Sequence, residues 1–170
     1  MPSGYFHPKY IPCPNPEFAH MSQSLANLVV HLVFSTKERR PWIRDQERTS
    51  LHAYIIGILK GHNSPVIEIN SVSEHIHILF AQSKNHAPAK LVEQVKSASS
   101  AWLKRQDPSY HGFAWQGGYA EFSVSPRHIP VVRAYIRRQQ AHHKNEPFQV
   151  ELRRFCERND RPLDERFAWD

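Results

Sequence analysis

The chain has 170 residues, a net charge of +6 and two cysteines, Cys13 and Cys156. That length suits one domain with a modest core. No apolar run approaches the roughly 18 residues a membrane helix needs, and the N-terminus lacks the apolar stretch of a signal peptide, so a soluble cytoplasmic protein is expected. The cysteines form no CxxC pair, which argues against a disulfide framework and a cysteine zinc site. The positive charge is concentrated. Between Arg127 and Arg154, seven Lys/Arg side chains stand against two glutamates. Such a block is the footprint of a polyanion site, with a solvated helix face as the plainer alternative.

Residues 1–20 hold Pro2, Pro8, Pro12, Pro14 and Pro16. Each proline removes a donor and restricts its predecessor, so this stretch is expected to be a disordered extension, with one folded domain over 21–170. Leu28 to Thr36 reads as a buried strand rich in β-branched residues. From Asp45 to His62, Leu51, Tyr54, Ile55, Ile58 and Leu59 recur at helical spacing. Pro65 to Ser73 alternates as a half-buried strand, and Glu74 to Ala81 follows as its hairpin partner. Pro88 to Gln106 reads as a helix and Tyr119 to Ser125 as a further strand. Arg127 to Lys144 is predicted as one helix whose buried stripe is Ile129, Val132 and Ile136. A last short helix runs from Pro147 toward Glu157. The order predicts an α+β fold: a split β-α-β, ferredoxin-like antiparallel sheet of about four strands with helices on one face. The strand of His75 and His77 should be central.

His75 and His77 are two apart on a strand, so their imidazoles share one face while Ile76 and Ile78 occupy the other. The pair can present two nitrogens to one metal ion, or simply be hydrogen-bonded on a sheet. Tyr135 and Gln139 are four apart and share one face of a helix. Tyr135 lies at the border of the buried stripe, where a phenol can reach the sheet or merely cover the core edge with a wet hydroxyl. Together, the two elements suggest a metal-assisted tyrosine nucleophile acting on a phosphodiester. His31, in mid-strand, reads as a satisfied core histidine. Lys37, Arg39 and Arg40 follow that strand as a candidate phosphate-binding edge. Arg133, Arg137 and Arg138 belong to the basic block, and His142 shares the face of Tyr135. Trp102, Phe113 and Trp115 are either base-stacking or core aromatics, with the core as the better reading.

Several blocks in order resemble the IS200/IS605-type single-tyrosine transposases, including the REP-associated tyrosine transposases, within the HUH endonucleases. They are His31 to Ile43, Ser73 to Phe80, Trp115 to Ser125 and Tyr135 to His143, with the tail Asp164 to Asp170 also similar. The resemblance implies that His75, His77 and Gln139 hold Mg²⁺ or Mn²⁺ and that Tyr135 is the nucleophile. It further implies single-stranded DNA with hairpins as the partner, a 5′-phosphotyrosine intermediate and a nucleoid-associated location. A homodimer whose subunits share an active site is one arrangement known in such proteins, and a monomer is another. The alternative function is a domesticated, cleavage-inactive protein that binds hairpin DNA or RNA.

Overall fold

The structure is a computed structural model and describes residues 25–142 and 147–165. The extension expected at 1–20 lies outside the described residues, as do the side chain of His142, all of His143 and most of the tail block at 164–170. The elements run β1 (Val29–Ser35), α1 (Asp45–Gly61), β2 (Val66–Ser71), β3 (His75–Ala81), α2 (Pro88–Gln106), β4 (Ala120–Ser123), α3 (Ile129–Arg137), α4 (Gln139–His142) and α5 (Phe148–Arg158). The four strands form one antiparallel sheet in the order β2-β3-β1-β4. This is the expected split β-α-β arrangement, and β3 is central between β2 and β1.

Alternation along the strands divides the sheet into two chemically different faces. Leu32 and Phe34 of β1 and Ile76, Ile78 and Phe80 of β3 point to one face and are fully buried. α1 covers them with Leu51, Ile55 and Leu59, and α2 with Leu91, Val92, Val95 and Leu103. Each such side chain contributes about 1.5–3 kcal/mol of burial, so this layer supplies most of the cohesion. Phe113 and Trp115 also belong to it, edge-on to one another at 4.9 Å. Trp115 Nε1 donates to Ser99 Oγ at 2.9 Å, and that hydroxyl donates to Val95 O at 2.6 Å, so the indole N–H is satisfied inside the core. Trp102 stacks on Tyr54 at 5.4 Å.

The opposite face carries Val33, His31, His75, His77 and Leu79, and it too is covered. α3 lays Ile129, Val132 and Ile136 near Val29 and Leu79. α5 lays Phe148, Leu152, Phe155 and Cys156 near Val33. The two long helices thus form the expected layer on one face, while the short helices enclose the histidines on the other.

The helix predicted from Arg127 to Lys144 is interrupted. α3 ends at Arg137, Arg138 turns with φ −92° and ψ 7°, and α4 restarts at Gln139. The cause is on β2: Asn70 Nδ2 donates to the carbonyls of Ile136 and Arg137 at 2.9 and 3.2 Å, drawing the end of α3 onto the sheet. A side chain from another element thereby caps two helix-terminal acceptors that would otherwise lack an intrahelical partner.

Candidate metal and tyrosine site

His75 and His77 are both fully buried. Across the β1–β3 ladder, His75 faces Ser35, His77 faces Val33 and Leu79 faces His31. This places His31 diagonally beside His77, and His31 Nε2 lies 3.0 Å from His77 Nδ1. His77 Nε2 accepts a hydrogen bond from Gln139 Nε2 at 2.8 Å. An amide donor at Nε2 requires the proton of neutral His77 on Nδ1, from which it donates to His31. Burial, then the neighbouring His75 and His31, holds His77 well below the ordinary histidine range, and burial brings His31 down to about 4. Both rings are therefore neutral at pH 7. A neutral imidazole with its N–H oriented by a partner, and the other nitrogen facing a cluster of donors, meets the requirement for a metal ligand.

Tyr135 is half-buried at the edge of α3. Its ring stands edge-on to His77 at 6.0 Å and to Phe155 at 5.7 Å. Its hydroxyl donates to Glu151 Oε1. Gln139 is only 1% exposed, and its Nε2 also donates to Glu151 Oε1 at 2.6 Å. Gln139 Oε1 is buried without a hydrogen-bond partner among the described residues. The four residues expected at the site, His75, His77, Tyr135 and Gln139, are thus brought together.

Glu151 is the residue that sequence reasoning missed. It is 3% exposed on α5, with Oε2 3.4 Å from His75 Nε2 and Oε1 3.4 Å from His77 Nε2. Burial pushes its carboxyl up to about 7, opposed by Arg154 and reinforced by Glu74. A signal was present in the sequence. Phe148, Leu152, Phe155 and Cys156 form the apolar stripe of an amphipathic helix, and Glu151 falls inside that stripe. An acidic residue there must be buried, and a buried acid needs partners.

One nitrogen from each of His75 and His77 and one oxygen of Glu151 lie within 4.8 Å of one another. The amide N–H group of Gln139 points at both His77 Nε2 and Glu151 Oε1, so its positive hydrogens stand in for a cation between them. Rotating that amide by half a turn exchanges the orphaned Oε1 for Nε2 at the same point. The set offers two imidazoles, a carboxylate and an amide oxygen, nitrogen and oxygen donors that suit a divalent ion such as Mn²⁺, with Mg²⁺ favouring the oxygens. The residues fit the group.

The candidate phosphate contacts divide into two sets. Lys37, Arg39 and Arg40 follow β1 at the end of the sheet where Thr36 N donates to Glu74 O at 2.7 Å, next to His75. Glu38 and Arg39 adopt left-handed backbone there, with φ of 57° and 53°, and Arg40 pairs with Glu38 at 2.7 Å. Arg133 and Arg137 both bind Glu68 of β2, at 2.9 and 2.8 Å, so they tie α3 to the sheet while staying about half exposed. Arg138 is exposed and lines a shallow depression with Pro130, Val131 and Ala134 that reaches Tyr135. No helix among the described residues is long and apolar enough to cross a membrane.

With this geometry established, comparison with known proteins identifies the family. The model for the family described as "Transposase IS200 like" matches residues 24–139. The chain belongs to the IS200-like transposases. Its fold is similar to that of a candidate transposase from Deinococcus radiodurans R1, at 20% identity and a TM-score of 0.55, over 70% of this chain and 98% of that one. It is also similar to a REP-associated tyrosine transposase bound to a REP hairpin, at 13% identity and a TM-score of 0.54, over 72% of this chain and 74% of that one. No curated protein matches.

Proposed function

We propose that the protein cleaves and rejoins single-stranded DNA at hairpin-containing ends, with Tyr135 as nucleophile and a divalent cation held at His75, His77 and Gln139. The observation that carries this reading is the convergence of Tyr135 and Gln139 on the two buried histidines, four side chains from two distant segments of the chain. Membership of the family supports DNA transposition as the setting. The hairpin in the similar REP-associated structure supports hairpin DNA as the partner.

When bound, the cation would act as a Lewis acid on the scissile phosphate. His77 is kept neutral, and its ligating nitrogen faces the site because His31 engages the other one. Tyrosine ionises near pH 10, so a phenol at neutral pH needs help to act as a nucleophile. Tyr135 already donates its hydroxyl proton to Glu151 Oε1, and that carboxylate is placed to take the proton as the phenol oxygen attacks phosphorus. The new phosphorus–oxygen bond to Tyr135 forms as the bond to the 3′ oxygen breaks. The proton is returned to the departing oxygen, leaving a 5′-phosphotyrosine and a 3′-OH. A second 3′-OH reverses the step and seals a new junction without ATP. Glu68 and Asn70 bind α3 to the sheet of the same chain, which supports Tyr135 acting on its own subunit's site rather than in a shared homodimeric one. Lys37, Arg39, Arg40 and Arg138 border the site as phosphate contacts. Arg133 and Arg137 stay about half exposed beside Glu68 and keep part of their charge available.

The test is covalent capture. Labelled single-stranded DNA bearing the hairpins that flank the gene is incubated with Mn²⁺ and either the protein or Tyr135→Phe. The expected result is a metal-dependent, denaturation-resistant adduct that the variant lacks. Tight hairpin binding without an adduct would identify a cleavage-inactive binding protein instead. An adduct retained by the variant would refute Tyr135 as the nucleophile.

A further inference from the structure

We infer that Glu151 is itself a ligand of the cation, making the site a His75–His77–carboxylate centre, and that its second oxygen holds the Tyr135 hydroxyl beside the ion. The inference rests on the metal-site reading above and changes its ligand set. Glu151 lies beyond residues 24–139, the stretch matched by the family model, so this donor comes from the chain's own C-terminal helix.

Three observations carry it. The first is geometric: the two oxygens of Glu151 stand 3.4 Å from the Nε2 atoms of His75 and His77 respectively, and a ligand atom from each of the three residues falls within one 4.8 Å cluster. The second is that Glu151 is held rigidly. Phe148, Leu152, Phe155 and Cys156 anchor α5 in an apolar cluster with Val33, and Phe148 stacks on the His75 ring at 4.5 Å. The helix therefore delivers the carboxylate to the imidazoles with little freedom to withdraw. The third is electrostatic. The oxygens of Glu151 face two imidazoles, a phenol and a carboxamide at 3% exposure, and burying a carboxylate among such groups is costly. A divalent ion among the same donors offsets that cost, and the ion's own charge then dominates the site.

The consequence is a division of labour. Oε2 faces His75 and is the natural ligating oxygen. Oε1 receives the Tyr135 hydroxyl, so the nucleophile and the cation are set by one side chain. A carboxylate ligand also lowers the net charge of the loaded centre by one and binds a hard cation more tightly than an all-neutral set.

The test is Mn²⁺ binding by the full-length protein without DNA, with free Mn²⁺ read by electron paramagnetic resonance. Glu151→Gln and His77→Ala are compared with the parent, and circular dichroism confirms folding. The expected result is loss of binding in His77→Ala and weakening of at least about tenfold in Glu151→Gln. Parent-like binding in Glu151→Gln together with loss in His77→Ala would overturn the inference and leave the metal reading standing. Parent-like binding in His77→Ala would overturn both. Should Glu151→Gln fail to fold, crystals of the unaltered protein soaked in Mn²⁺ decide the matter by anomalous scattering. A Glu151 oxygen at about 2.1 Å from the manganese peak is expected, and a peak that Glu151 does not touch would overturn the inference.

Discussion

Asn70→Asp is the substitution that most sharply tests how the tyrosine segment is held. Asn70 sits opposite His77 in the β2–β3 ladder, and its Nδ2 reaches the carbonyls of Ile136 and Arg137 while its Oδ1 accepts from Ser71 N at 2.9 Å. Aspartate is nearly isosteric and keeps the Ser71 bond, but it loses both donors and sets a carboxylate against the negative end of α3. Two hydrogen bonds contribute about 1 kcal/mol each, and a charge of the wrong sign at a helix C-terminus adds about 0.3–1 kcal/mol. The expected destabilisation is about 2–3 kcal/mol, a fall in Tm of about 4–12 °C for a chain of this size. Asn70→Ala avoids the added charge but also gives up the Ser71 bond, so it should cost about as much. The effect on function should exceed the effect on stability, because the bound carbonyls lie between Tyr135 and Gln139. Loss of that anchor should slow DNA capture on the order of a hundredfold, even at temperatures where the variant is fully folded. Melting by circular dichroism and single-turnover adduct formation measure the two quantities. A variant that melts within about 1 °C of the parent and captures DNA at the parent rate would refute the reasoning.

Other positions give independent tests. Ser99→Ala strands the buried Trp115 N–H and should cost about 1–3 kcal/mol by denaturant unfolding, with DNA capture unchanged in the folded fraction. His52, bonded to Ser71 Oγ at 2.8 Å, is brought down to about 4 by burial and, secondarily, by Arg48. Between pH 6.5 and 4 the unfolded chain therefore binds a proton there that the folded chain does not, so stability is full above 6.5 and falls on acidification by up to ~1.4 kcal/mol per pH unit. His52→Gln should flatten this part of the pH–Tm curve, and an unchanged slope would refute the assignment. Arg138→Ala should weaken hairpin binding at all sequences alike and lower the salt dependence by about one ion. An unchanged slope would remove Arg138 from the DNA face.

Most of the scaffold was legible in the sequence because it follows from local periodicity. The alternation of Ile76, Ile78 and Phe80 against His75 and His77 defines a strand with one apolar and one imidazole face wherever that strand is placed. The spacing of Leu51, Ile55 and Leu59, and of Leu91, Val95 and Leu103, likewise defines the two helices that must cover the apolar face. The pairing of Tyr135 with Gln139 is also a local fact, since residues four apart share a helix face. What periodicity cannot express is which distant groups meet. The break at Arg138 depends on Asn70, more than sixty residues earlier, competing for the carbonyls at the end of α3. The neutral state and orientation of His77 depend on His31, its diagonal neighbour across a strand pairing that only the folded sheet creates. Glu151 was visible as an acid within an apolar stripe, but its partners were not. The stripe says only that the carboxylate is buried, and the packing of α5 over Val33 and Phe148 over His75 decides that it is buried against two imidazoles and a phenol.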